Sequence, residues 1–79
     1  MRLQALLALH QIRHTSIIRA CKSNGIDISQ GYLSLVANGL RKPRKEKALA
    51  IVKVLRGFGI DDSILMEVKE LANAFTERG

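Results

Sequence analysis

The sequence predicts an all-α protein, a compact bundle of five helices. Three observations carry that expectation. Apolar residues recur at spacings of three and four along most of the chain, no segment is a convincing strand, and glycine or Asn-Gly punctuation falls between the periodic stretches.

The first helix, residues 2–13, places Leu3, Leu6, Leu7 and Ile12 in one stripe. Thr15 or Ser16 offers an N-cap to a short second helix with Ile17, Ile18 and Cys21 on one face, closed at Gly25, because glycine tolerates the positive φ of that position. After the turn Ile26-Asp27-Ile28, Ser29 caps a third helix over 29–38, in which Leu33 and Val36 point inward and Asn38-Gly39 ends the element. Residues 41–45 form a basic loop around Pro43, the only proline. A fourth helix from about Arg44 to Arg56 buries Ala48, Ile51, Val52 and Leu55 and stops at Gly57-Phe58-Gly59. Asp62 or Ser63 caps the fifth, which runs to about Glu77 and repeats Ile64, Val68, Leu71 and Phe75 at spacings of four, three and four, a seam close to a heptad.

Seventy-nine residues leave room for a single domain, and 47% hydrophobic content supplies enough apolar material for a core. Within it, residues 1–59 make the main unit and 60–79 a C-terminal helix for packing or dimerisation. The lone Cys21 excludes a disulfide framework and suits a reducing compartment. The apolar start fails as a signal peptide because Gln4 and His10 interrupt it and no small-residue cleavage site follows. No apolar run reaches the roughly 20 residues of a membrane span, so a soluble, cytoplasmic protein is expected.

Thirteen Lys and Arg against seven Asp and Glu give a formal charge of +6, which favours polyanionic partners. Residues 1–26 carry four basic and no acidic groups, residues 27–59 seven and two, and residues 60–79 two and five. The positive field belongs to the first three quarters. The net acidic C-terminal segment is expected to avoid a phosphate backbone.

Two short helices joined by a tight turn, then a basic loop and a longer amphipathic helix, form the arrangement that offers one helix to a DNA major groove. Residues 29–43 read SQGYLSLVANGLRKP. They resemble the third helix and following loop of the Xre/Cro family, helix-turn-helix repressors of phages and bacteria. Ser29, Gln30, Tyr32, Leu33, Ser34, Val36, Gly39, Arg41 and Pro43 fit the family pattern in register, and KEKALAIVKVL looks like its fourth helix. The resemblance covers residues 15–56 and implies a lambda-repressor-like bundle with a DNA-binding core at 1–59.

The residues themselves point the same way. With Leu33 and Val36 inward, a step of about 100° per residue turns Gln30, Gly31, Ser34 and Leu35 toward or beside the outer face. Gln30 has the bidentate geometry for adenine, Ser34 can donate or accept, Leu35 can pack on a thymine methyl, and Gly31 permits close backbone approach. Thr15, Ser16, Ser29, Tyr32, Asn38, Arg41, Lys42, Arg44 and Lys45 are the candidates for phosphate contact and positioning. Ile64, Val68, Leu71 and Phe75 are the candidate dimer interface, with core packing as the alternative use of that seam.

The expected partner is therefore double-stranded DNA, bound by a homodimeric transcriptional regulator, without membrane or small-molecule ligand. The alternative is a helix-turn-helix scaffold serving as a protein–protein adaptor or antirepressor. His10, His14 and Cys21 are three metal-capable side chains where a closed zinc site needs four, so no metal or cofactor is expected. No Gly-rich phosphate loop or nucleophile–base pair has suitable context, which leaves no candidate catalytic residue. RNA binding lacks an aromatic platform, since Tyr32, Phe58 and Phe75 are the only aromatic residues.

Overall fold

The same hydrogen-bonded closure ends each of the first four helices. α1 (Leu3–Leu9), α2 (His14–Ser23), α3 (Gln30–Ala37) and α4 (Lys45–Gly57) are each followed by a cap residue and then by a residue of positive φ. The next N–H returns to a carbonyl five residues back: Ile12 to Leu7, Ile26 to Cys21, Leu40 to Leu35 and Ile60 to Leu55, at 2.9–3.2 Å. This is the Schellman arrangement, which satisfies the carbonyls orphaned at a helix end. Glycine occupies the positive-φ position three times, as Gly25, Gly39 and Gly59, and Gln11 fills it after α1 at φ 55°.

The computed structural model describes residues 1–75 and contains no strand among them. Six helical segments, not five, make the bundle. α1 is shorter than the expected 2–13, because the chain turns at Gln11 and Ile12 packs against the core from outside the helix. α2 starts at His14 with Arg13 as N-cap, so Thr15 and Ser16 sit in its first turn and cap nothing. Ser29 caps α3 as expected, its hydroxyl accepting the Tyr32 N–H at 3.1 Å.

The C-terminal quarter departs most from expectation. In place of one long helix there is a four-residue α5 (Asp62–Leu65), with Asp61 as N-cap, and then a 3₁₀ helix over Lys69–Phe75. Leu65, Val68 and Leu71 are fully buried, whereas Ile64 is 37% exposed. The three buried residues come from three successive pieces of backbone, Leu65 from the end of α5, Val68 from the connection and Leu71 from the 3₁₀ helix. The heptad seam is therefore not a free stripe: Val68 and Leu71 lie in the chain's own core and Phe75 packs against it. A second copy can meet these residues only if the core opens. The expected end near Glu77 lies outside the described residues.

One apolar core joins all six segments, from Leu3, Leu6 and Leu7 through Leu33 and Val36 to Ile51, Leu55 and Leu71, and no polar or charged residue is buried in it among the described residues. α4 packs on α2 and on the 3₁₀ helix, while α3 is held against α1 and α2. The radius of gyration, 11.1 Å, is that of a single folded unit, for which about 11.6 Å is expected at this length. Among the described residues no helix is long and apolar enough to cross a membrane.

Candidate functional site

α3 fixes its orientation by burying Leu33, Val36 and Ala37 completely. Gly31 and Leu35 stand two residues either side of Leu33, about 160° away from it in opposite senses, and both are exposed. Leu35 keeps 41% of its surface in solvent. Gln30 is exposed at the helix start, and Ser34 is half-buried on the flank. The four residues assigned to the outer face thus lie along one side of α3, with Gln30, Gly31 and Leu35 exposed.

The basic loop is anchored to the same helix. Tyr32 is half-buried, and its ring lies under two cations, with Arg41 Cζ 4.8 Å and Lys47 Nζ 4.5 Å from the centroid. Its hydroxyl accepts the Arg44 N–H at 3.3 Å. Tyr32 therefore organises the loop. Cation–π attraction of this kind is worth about 0.5–1 kcal/mol at exposed sites.

From the other side, Asn73 Nδ2 donates to the carbonyl of the buried Pro43 at 3.0 Å. The Asn73 Oδ1 is buried without a hydrogen-bond partner among the described residues. Between these anchors Arg41, Lys42, Arg44 and Lys45 are exposed. Asn38 is committed to closing α3, since its Nδ2 donates to the Ser34 carbonyl at 2.8 Å while its own carbonyl accepts from Arg2 Nη1.

No family model, curated protein or solved structure matches the chain. The chemistry of this face rests on its own groups.

A groove of about 460 Å³ lined in part by Gln4, Arg13, His14, Thr15 and Gln30 brings the starts of α2 and α3 to one surface. His14 Nε2 and Gln4 Oε1 are 3.1 Å apart across it. Thr15 is exposed there, while Ser16 is half-buried and outside the lining. Ser29 is spent as the cap of α3. The histidines and Cys21 do not come together, and no group of three or more His, Cys, Asp or Glu among the described residues is placed to hold a metal ion. Cys21 is fully buried and desolvation pushes its thiol above the ordinary range, which suits a packing role rather than a nucleophile.

Two basic residues of this surface, Arg2 and Lys69, escaped the sequence reading, whereas Lys47 ends the basic run 41–47. Lys47 shares the Tyr32 ring with Arg41. Arg2 and Lys69 line a cleft with Arg41 and Lys42 at the far end of α3. Nothing in the sequence linked Arg2 or Lys69 to the loop.

Proposed function

We propose that the chain is a sequence-specific double-stranded DNA-binding regulator of the Xre/Cro type, with a lambda-repressor-like helix-turn-helix made by α2, residues 24–29 and α3. The observation that carries this reading is the joining of two surfaces on one helix: the exposed residues Gln30, Gly31 and Leu35, and a basic loop tied to α3 through Tyr32. Base edges are distinguished by hydrogen bonds and methyl contacts in the major groove, and phosphates are held by cations that carry no sequence information. Gln30 and Leu35 suit the first task. Arg41, Lys42, Arg44 and Lys45 suit the second. Such a protein works in the cytoplasm as a repressor of phage or bacterial type.

One eight-residue helix discriminates too few base pairs for a genome, so two copies act on half-sites about 34 Å apart. Because Val68 and Leu71 are used in the core, pairing occurs on DNA and through another surface. Selection of bound fragments from a random duplex pool, followed by binding across a salt series, tests the reading. A recurrent motif with affinity falling linearly in log salt is the expected result. Absence of both a motif and salt-linear binding would leave a protein–protein adaptor.

A further inference from the structure

Two concave surfaces stand at the two ends of α3. The groove at its start belongs to the face already described. The cleft at its other end, about 480 Å³, draws on segments outside that face: Arg2 precedes α1 and Lys69 opens the 3₁₀ helix, beside Arg41 and Lys42 of the loop. Its one acidic side chain is Glu70. The side chains therefore leave a surplus of three positive charges, and the ion pair found among the described residues, Arg56 with Asp62, takes none of them. Like charges gathered in a cleft repel one another and focus a field that an anion relieves.

The cleft is also preorganised. The Arg2 guanidinium donates to the Asn38 carbonyl and lies over Gly39, where a Cβ would overlap its Nη1. A guanidinium carries five N–H donors, so that single bond fixes the group and leaves donors for a ligand. Glu70 Oε1 accepts the Leu3 N–H at 2.8 Å, which ties the carboxylate to the start of α1. The placement suits a duplex. Nine residue steps from Gln30 to Gly39 cover about 13 Å at helical rise, and the major groove of B-DNA is about 12 Å wide. A helix lying across that groove has one end near each phosphate wall.

We propose that this cleft seats a phosphodiester of the DNA backbone, with Arg2 and Lys69 acting beside Arg41 and Lys42, on the wall opposite the one met at the start of α2. The inference rests on the DNA-binding reading above. It also reverses the expectation for the C-terminal quarter: that segment is net acidic, but Lys69, its one cation among the described residues, faces the phosphate.

The test is duplex binding across a salt series for the intact chain, Arg41→Gln, Arg2→Gln and Lys69→Gln, with Lys53→Gln on the exposed side of α4 as control. Lys69→Gln is the decisive variant, because Lys69 makes its hydrogen bond through the backbone N–H, to the Met1 carbonyl at 3.3 Å, and that bond survives the change. Arg2→Lys accompanies Arg2→Gln, since it keeps the charge if the loss of the Asn38 bond alone disturbs the fold. The expected result for Lys69→Gln is a log–log salt slope smaller by about one and binding weakened about 5-fold at 0.15 M salt for all sequences alike. An unchanged slope for Lys69→Gln and Arg2→Gln, with Arg41→Gln lowering it, overturns the cleft and leaves the DNA reading standing. Intact protein without salt-linear binding overturns both. Tripolyphosphate titrated into the protein and followed by amide chemical shifts separates the remaining source of phosphate: saturable shifts at Arg2 and Lys69, with an unchanged DNA slope in the variants, would make the cleft a site for a small phosphorylated ligand and overturn the backbone seat.

Discussion

Gly39→Ala carries two costs where Gly25→Ala and Gly59→Ala carry one. All three glycines have positive φ, at 73°, 81° and 90°. A left-handed conformation costs a residue with a Cβ roughly 1–2 kcal/mol, and alanine recovers about 0.4–1 kcal/mol by restricting the unfolded chain. The net loss is about 1 kcal/mol. At Gly25 and Gly59 nothing else lies within 4 Å of an added Cβ, so that loss is the whole effect. At Gly39 the Cβ would overlap Arg2 Nη1 and stand 3.2 Å from both Arg2 Cζ and Glu70 Oε2. The guanidinium must swing away from the Asn38 carbonyl, at a further cost of about 1 kcal/mol for an exposed hydrogen bond. Thermal and urea unfolding should therefore show Gly25→Ala and Gly59→Ala melting about 4–8 °C lower, with Gly39→Ala losing about twice as much. In an Arg2→Ala background the excess at Gly39 should vanish. Equal losses at all three glycines, or an excess that persists without Arg2, would refute the close approach of Arg2 to this turn.

Gln30→Ala should relax selection at one base pair at a cost of about 1–3 kcal/mol, while Arg41→Ala weakens all sequences alike and lowers the salt slope by about one; motifs selected from random DNA check both. Leu33→Ala should cost about 2–5 kcal/mol, a large share of the roughly 4–12 kcal/mol available to a chain of this length, and an unchanged urea midpoint would show its burial to be wrong. Leu71→Ala should be destabilising by a similar amount without changing the sedimentation of the folded protein, since the residue is buried within one chain. The Asp62 carboxyl is held below its ordinary range by hydrogen bonds from Arg56 at 2.7 and 2.9 Å. The stability it adds is present above the unfolded carboxylate range and lost as pH falls through the folded value, so Asp62→Asn should flatten the acid side of the stability profile slightly, this being an exposed pair.

The central helices were legible because their ends carry chemical signals. Gly25, Gly39 and Gly59 all occupy the left-handed closures that the glycine punctuation marked. The same closure after α1 was not legible, because Gln11 occupies it and Ile12, which packs on the core beyond the turn, prolongs the apolar period as though the helix continued. At α2 two good capping residues drew the start inward, whereas the chain enters the helix at Arg13 without a side-chain cap. The last quarter holds two overlapping patterns. Ile64, Val68, Leu71 and Phe75 fit a heptad, but Leu65, Val68 and Leu71 fit a repeat of three, and burial selects the second. A heptad implies one long helix and a stripe to share, whereas here the α-helix stops at Leu65 and the chain turns Val68 of the connection and Leu71 of the 3₁₀ helix onto its own core.

For the site, the residues of α3 were readable because one helix sets their directions, whereas cations from four segments meet only through the tertiary fold. Tyr32 shows how the two depend on each other. Next to the buried Leu33, it holds Arg41 and Lys47 over its ring and the Arg44 N–H on its hydroxyl, while Asn73 grips Pro43 from the opposite side. The loop therefore cannot shift without losing contacts to both α3 and the 3₁₀ helix. If the loop holds phosphates as proposed, those contacts would carry register to Gln30 and Leu35 through Tyr32, because a short link leaves little slack between backbone and base edge. The C-terminal quarter ties the loop to the core: it closes the core through Leu65, Val68 and Leu71 and, from Asn73 of the 3₁₀ helix, supplies the amide that holds the Pro43 carbonyl.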